Sequence, residues 1–357
     1  MKRMTAKSRE EDGMVQKVCD MSETMNFVIV GTGLISSIHA EAINSIENAC
    51  LIGVFDKNPD SADEFAKKYN LKSYNSYEDV LDDSNVSAVC LCTPSGFHAE
   101  QAIKALEHGK HVVVEKPMAI TVADCDRVIE AAKKSGCVLM PICQRRFYDN
   151  VQMLKKLYED NAFGKISLCD LYMKFWRDSN YYSDSKWRGT KALDGGGALM
   201  NQGIHGIDLL QYIAGKAKLI SSRVKAAVHD IEVEDTAVAV VEFKNGAMGV
   251  IEGSTCAFPG FEKRIEIHGS NGCAILQSGK FIKLVINGED VTPKEDSVTS
   301  KSSASDPAAI DYMLHAKQLC NFISAVTDGE KLVCDMYDGK RAVELIEQIY
   351  KFSENNS

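Results

Sequence analysis

Two side chains in this sequence stand in company suited to moving a proton: a lysine at the end of an apolar run and a histidine after a run of glycines. Lys116 closes the stretch His111-Val112-Val113-Val114-Glu115-Lys116-Pro117. A Val-rich run reads as a buried central strand. Proline ends its pairing, having no N–H to donate. Charges at the C-terminal end of such a strand stand where open α/β sheets hold their ligands. His205 lies in Asp194-Gly195-Gly196-Gly197-Ala198-Leu199-Met200-Asn201-Gln202-Gly203-Ile204-His205-Gly206-Ile207-Asp208. Its ordinary pKa lies close to operating pH, which suits a general base. A lysine ammonium suits the stabilisation of negative charge developing on oxygen. Read as one helix, Asn201, His205 and Asp208 share a face at i, i+4 and i+7. Flanked by Leu199, Ile204, Ile207 and Leu209, that polar stripe suits a pocket wall rather than a lone structural histidine.

These groups need a cofactor before them, and the first strand supplies its signature. Asn26-Phe27-Val28-Ile29-Val30 runs into Gly31-Thr32-Gly33-Leu34-Ile35-Ser36, and Ile35, Ile38, Ala42 and Ile46 then recur at helical spacing. The first glycine permits a tight turn, and the second lets backbone approach a pyrophosphate. The helix start at Leu34 and Ile35 offers free N–H groups. Ser36 holds the third fingerprint position, where a small residue can pack. Cys50 to Phe55 reads as the next strand and ends in Asp56, at the distance expected for a carboxylate that accepts ribose hydroxyls. NAD is therefore the expected cofactor. Lys57 beside Asp56 keeps NADP as the alternative. Ala88 to Cys92 is another strand, leaving through Thr93-Pro94-Ser95-Gly96-Phe97-His98. Thr93, Pro94, Ser95, His98, Glu115 and Gln144 complete the expected cofactor cleft. A helix is expected from Val122 to Lys134, a strand at Cys137 to Met140, and a crossing to the second half at Gln144-Arg145-Arg146-Phe147. Strand and helix alternate, as in a doubly wound parallel sheet.

The second half changes character. A helix is expected at 151–160 and a strand from Ile166 to Trp176, followed by a loop carrying Trp176-Arg177, Tyr181-Tyr182 and Lys186-Trp187-Arg188-Gly189-Thr190. Long loops within compact domains are usually functional, and aromatic faces with arginine suit sugars and phosphates. Arg145, Trp187, Arg188, Asn201 and Gln202 join Lys116 and His205 as candidate substrate contacts. Strands are expected at Ser221 to Val228, Thr236 to Phe243, Met248 to Ser254, Arg264 to His268, Cys273 to Leu276 and Phe281 to Ile286. Asn245-Gly246 is a hairpin signal. Thr292 to Ser305 reads as weakly ordered. Helices from Ala308 to Thr327 and Gly339 to Phe352 close the chain. The expected fold is α/β: a Rossmann doubly wound parallel sheet at 25–145, then an α+β domain at 146–357 with a large, mostly antiparallel sheet. One sheet face is left for a homodimer or homotetramer.

Composition bounds the function. The 357 residues are 45% hydrophobic and 25% charged, with a formal charge of −9, which argues against a nucleic-acid surface. No apolar run approaches the ~20 residues of a membrane span. Residues 1–24 read as a polar extension without the apolar core of a secretory signal, or as a start placed too early. The twelve cysteines form no Cys-x-x-Cys pair, so free thiols in a cytoplasmic protein are expected, and no metal.

The combination Gly31-Thr32-Gly33, Thr93-Pro94 with His98, and Gly109-Lys110-His111-Val112 leading to Glu115-Lys116-Pro117 resembles the Gfo/Idh/MocA oxidoreductases. The similarity runs on through the triple glycine to His205. It implies NAD(P)-dependent hydride transfer at a sugar, cyclitol or nucleotide-sugar hydroxyl. The family lysine, matched by Lys116, would lie near both nicotinamide and the reacting hydroxyl, and His205 matches the family histidine. Asn201 stands where many members carry aspartate, and an amide cannot exchange a proton. With Trp187-Arg188-Gly189-Thr190 upstream, Asn201-Gln202 looks most like the 3-dehydrogenases of UDP-N-acetylglucosamine or its uronate. The rival substrates are an inositol, a free or phosphorylated sugar, or a ketosugar reduced instead of formed. An NAD recycled within one turnover and a non-catalytic dinucleotide- or sugar-sensing regulator are the remaining alternatives.

Overall fold

Two sheets carry the molecule, and the cleft lies where they meet. The computed structural model describes residues 24–294 and 311–356. The polar extension, most of the expected weakly ordered stretch and the expected helix start at Ala308 lie outside the described residues. Six parallel strands form the first sheet: β1 (Met25–Val30), β2 (Ala49–Phe55), β3 (Lys72–Ser73), β4 (Ala88–Leu91), β5 (His111–Val114) and β6 (Leu139–Pro141). Their order is β3-β2-β1-β4-β5-β6. The chain reverses direction across the sheet between β1 and β4, which opens a crevice at the strands' C-terminal ends. β1 and β5 are buried on both faces, as helices on either side of a parallel sheet require.

The second sheet has eight strands: β7 (Ile166–Lys174), β8 (Ala217–Lys225), β9 (Thr236–Phe243), β10 (Met248–Ser254), β11 (Arg264–Gly269), β12 (Gly272–Gln277), β13 (Lys280–Ile286) and β14 (Glu289–Asp290). Their order is β14-β13-β12-β11-β7-β10-β9-β8. Only the β7–β10 pair is parallel. Inward residues alternate along each strand: Cys169, Leu171 and Met173 on β7, and Ala237, Ala239 and Val241 on β9. They pack on the helices Ile204–Ala214 and Met336–Asn355. Outward stand Leu168, Val238, Val240 and Met248, all exposed.

Some boundaries differ from the sequence expectation. β8 begins at Ala217, earlier than Ser221, as soon as Gly215 has released the preceding helix. β7 stops at Lys174 rather than Trp176. The last helix starts at Met336 rather than Gly339, because Asp335 accepts from the Tyr337 and Asp338 amides in a capping box. The helix Met313–Thr327 leaves the second half to pack Leu319, Phe322 and Ile323 against the first sheet, with Phe322 meeting Phe27.

A buried arginine ties the crossing segment to this frame. Arg146 donates from Nε and Nη2 to the two Asp208 oxygens at 3.0 and 2.6 Å, and from Nη1 to Asp338 at 2.9 Å and the Val333 carbonyl at 2.7 Å. Asp208 therefore does not line a pocket with His205 as helical spacing suggested. The segment Ala198–Gly203 is π-helical, with Gln202 donating to the carbonyl five residues back, so the phase of the helix shifts between Asn201 and Asp208. Removing one partner of a buried pair leaves a charge uncompensated. Asp208→Ala is expected to lower stability by about 3–5 kcal/mol. An unchanged urea midpoint would contradict that role.

Candidate active site

The glycine turn is shaped to receive a ligand's backbone. Gly31 sits at φ +97°, and a Cβ there would meet the Cys92 carbonyl carbon at 2.9 Å. Only glycine suits both demands. Gly33 faces open space, and the helix Leu34–Asn44 starts directly after it. Ser36 is fully buried and bonds back to the Gly33 carbonyl, so the small residue at the third fingerprint position keeps helix and strand close. Asp56 accepts from the Thr32 amide at 2.8 Å and hydroxyl at 2.9 Å, which locks the turn against the end of β2. Its oxygens retain lone pairs for ribose hydroxyls. Lys57 is exposed beside it.

From this turn a cavity of about 760 Å³ extends to the second sheet. Gly31, Thr32, Gly33, Leu34, Ile35, Asp56, Lys57, Thr93, Pro94, Ser95, His98, Glu115 and Gln144 all line it. So do Lys116, Arg145, Trp187, Arg188, Asn201, Gln202 and His205. The structure thus brings every sequence-predicted site residue to one cleft. Sequence reasoning passed over Tyr148, Glu262, Lys263 and Ser278, which line the same space. For Lys263 a signal existed. It stands in register with Ile265 and Ile267, on the inward side of a strand whose other inward residues are apolar.

Two of the lining residues are anchored more than exposed. The ring nitrogens of His98 lie 2.7 Å from the Pro117 carbonyl and 2.9 Å from the Thr93 carbonyl, which ties the loops after β4 and β5 together. Burial pushes its pKa down. Glu115 faces His39 at 2.9 Å and His315 at 3.7 Å. Burial opposes the Glu115 carboxylate, but the imidazoles of His315 and His39 outweigh it and hold its pKa well below the usual range. Its other oxygen accepts from the Lys116 amide at 3.1 Å.

Lys116 is therefore fixed from behind and directed forward. Its Nζ donates to the Asn201 carbonyl at 2.8 Å and to Asn201 Oδ1 at 3.3 Å. One of its three N–H groups is left for a ligand. Asn201 in turn donates to Asp194 at 2.6 Å. A carboxylate thus stands one hydrogen bond behind the amide. Gln202 donates to Asn201 Oδ1 and to the Tyr181 hydroxyl, and Arg177 donates to Gln202. Arg188 lies 4.3 Å over the Tyr181 ring. The triple glycine is pinned from below. A Cβ on Gly197 would fall 2.0 Å from the Glu234 carbonyl, and the Glu234 carboxylate accepts from the Gly197 and Leu199 amides.

His205 makes no hydrogen bond among the described residues and opens into the cleft. Burial, then the charges of Lys116, Arg145 and Lys263, hold its pKa well below the ordinary value. It is a neutral base at pH 7, set beside an ammonium. Fold and site together define a two-domain oxidoreductase whose dinucleotide cleft opens onto a Lys–His pair.

The comparisons agree. The oxidoreductase family with an NAD-binding Rossmann fold matches residues 25–142, and the GFO/IDH/MocA C-terminal domain matches 151–275. The chain belongs to the GFO/IDH/MocA family, and NAD is its cofactor. A myo-inositol 2-dehydrogenase of Thermotoga maritima is 31% identical over 275 residues, 74% of this chain and 79% of that protein. A glucose-6-phosphate 3-dehydrogenase of Bacillus subtilis is 27% identical over 354 residues, 92% of this chain and 96% of that protein. The WlbA dehydrogenase of Bordetella pertussis, solved with NADH and UDP-GlcNAcA, superposes with a TM-score of 0.84 at 28% identity. That likeness covers 94% of this chain and 97% of that one.

Asp194 carries a pH signature. Burial, against the pull of the Gly189 amide and Lys116, lifts its pKa to about 6. A raised folded value favours the fold below the unfolded pKa, and that advantage is lost as pH rises through 6. For activity the ionised form matters, since it accepts from Asn201 and faces Lys116. Turnover is expected to fall as pH drops through 6. Asp194→Asn should remove this limb and lower the plateau above it. A limb that persists unchanged in the variant would contradict the assignment to Asp194.

Proposed function

We propose that this oxidoreductase takes a hydride from a ring carbinol of a nucleotide sugar, C3 of a UDP-N-acetylhexosamine or its uronate. The observation that carries the reading is the Lys116–His205 pair, one member charged and one neutral, at the open end of the dinucleotide cleft. NAD, when bound, accepts the hydride. His205 takes the hydroxyl proton, its neutral imidazole being the stronger acceptor of the two. The remaining N–H of Lys116 donates to the same oxygen as negative charge develops there. Asn201 moves no proton. It spends both its carbonyls on holding Lys116, with Asp194 fixing the amide from behind. Arg145, Trp187, Arg188 and Gln202 form the substrate wall. The WlbA likeness supports the nucleotide-sugar class. The inositol dehydrogenase relative supports a free cyclitol as the rival substrate.

Beyond the site, the exposed Leu168, Val238, Val240 and Met248 on the outer face of the second sheet support a homodimer or homotetramer joined there. Among the described residues no helix is long and apolar enough to cross a membrane. The free cysteines among the described residues suit a reducing cytoplasm.

The test offers NAD and NADP with UDP-sugars, free and phosphorylated hexoses and inositols, following the absorbance of reduced nicotinamide. Reduction is expected with a UDP-sugar. Lys116→Ala and His205→Ala should each cut turnover by roughly 10²–10⁴-fold while NAD still binds. Near-normal turnover in both variants would overturn the roles. No reduction with any UDP-sugar would overturn the substrate class. In the same preparation, Met248→Glu should lower the mass measured by light scattering. An unchanged mass would remove the outer face from the interface.

A further inference from the structure

One charged group in the cleft is left without a partner by the hydride-transfer chemistry. Lys263 precedes β11 and points inward, with only 7% of its surface exposed. Among the described residues its ammonium has neither a hydrogen-bond nor an ion-pair partner. The carboxylates that could neutralise it are committed elsewhere. Glu262 accepts from the Ser278 hydroxyl, and Asp208 is held by both arms of Arg146. Burial, then the charge of Arg145, push the Lys263 pKa well below the ordinary lysine value, so its charged form is expensive here unless an anion compensates it.

The place is built for the lysine. Its stem lies along the helix that carries His205, where a Cβ on Gly206 would meet Met173 Sδ at 2.6 Å and both Leu171 Cδ1 and Lys263 Cδ at 3.0 Å. The glycine thus lets the β7 side chains and the lysine stem pack close to the helix. Both side chains line the same cavity, together with Arg145. The cofactor's pyrophosphate cradle is at Gly31 to Leu34 on the other sheet, so a negative charge at Lys263 belongs to the second ligand.

We propose that Lys263 is a specificity residue that takes an oxyanion carried by the sugar substrate, a carboxylate on the ring or a phosphate esterified to it, beside the carbinol addressed by His205. Neutral polyols bind this site poorly because they leave the ammonium buried and unpaired. The inference names the substrate class of the site proposed above and rests on that reading for the role of His205. The recognition itself needs only binding.

The test titrates the NADH-loaded protein by calorimetry with matched pairs: glucuronate and glucose, glucose 6-phosphate and glucose, UDP-N-acetylglucosaminuronate and UDP-N-acetylglucosamine. The wild type is expected to prefer one class of anion by about 10- to 100-fold, the range of a charge-assisted hydrogen bond. Lys263→Met should lose that preference while NADH affinity stays unchanged, and Lys263→Arg should keep most of it. A preference confined to the uronates assigns the carboxylate. One confined to glucose 6-phosphate assigns the phosphate. Equal affinity for charged and neutral members, a preference that survives in Lys263→Met, or no binding of any member overturns the proposal. Should Lys263→Met lose NADH binding, the wild-type preference and Lys263→Gln decide the question. Selective anion binding with no reduction of NAD by the bound sugar would instead overturn the dehydrogenase reading and leave the anion site standing.

Discussion

A lysine ammonium inside a protein must be held, or it loses either its charge or its direction. The structure around the cleft answers that demand for Lys116. The backbone before it is fixed by Glu115, itself clamped between His39 and His315 on two helices of the first half's core. The ammonium is fixed by the carbonyl and side chain of Asn201, on the segment ahead of the second domain's helix. Lys116 thus joins the end of β5 to the segment that leads into the second domain's helix. Arg146, with Asp208 and Asp338, keeps the crossing segment from sliding relative to that helix. Burial lowers the Lys116 pKa, and the carboxylates of Glu115 and Asp194 oppose the loss of its charge.

The same electrostatics divide the work of the site. Burial, then positive charge from Lys116, Arg145 and Lys263, holds the His205 pKa well below the ordinary value. For the reaction proposed above, a neutral imidazole beside a lysine held for hydrogen bonding is the pairing that proton removal from a hydroxyl requires. Asn201 cannot itself exchange a proton. Here the carboxylate stands one bond further back, at Asp194, and the amide relays orientation rather than protons.

Much of this was legible in the sequence, for identifiable reasons. Strand, glycine turn and carboxylate are local signals, and they pointed to the residues from Gly31 to Asp56 that line one end of the cavity. Glu115-Lys116-Pro117 and the segment after the triple glycine marked two walls of the same cavity. Other features were not legible because they depend on backbone phase or on distant packing. Helical spacing put Asn201, His205 and Asp208 on one face, but the wider turn at Ala198–Gly203 shifts Asn201 in phase from the other two, and Asp208, one turn beyond His205, is taken up by Arg146. The amphipathic pattern of the helix Met313–Thr327 could not say that its partner is β1, nearly three hundred residues earlier. Lys263 was visible as a charge on an apolar strand face. Only the fold gives that face a cavity.

Hydride transfer from a sugar carbinol to the cofactor, with the proton leaving through His205, is the central claim. Its most direct measurement uses a UDP-N-acetylhexosamine or uronate deuterated at each ring carbinol in turn, with nicotinamide examined by NMR after one turnover. One position, C3, should deliver a single deuterium to the nicotinamide C4, with none appearing in water. Deuterium released to solvent, or a C4 that stays unlabelled with every position, would contradict the account.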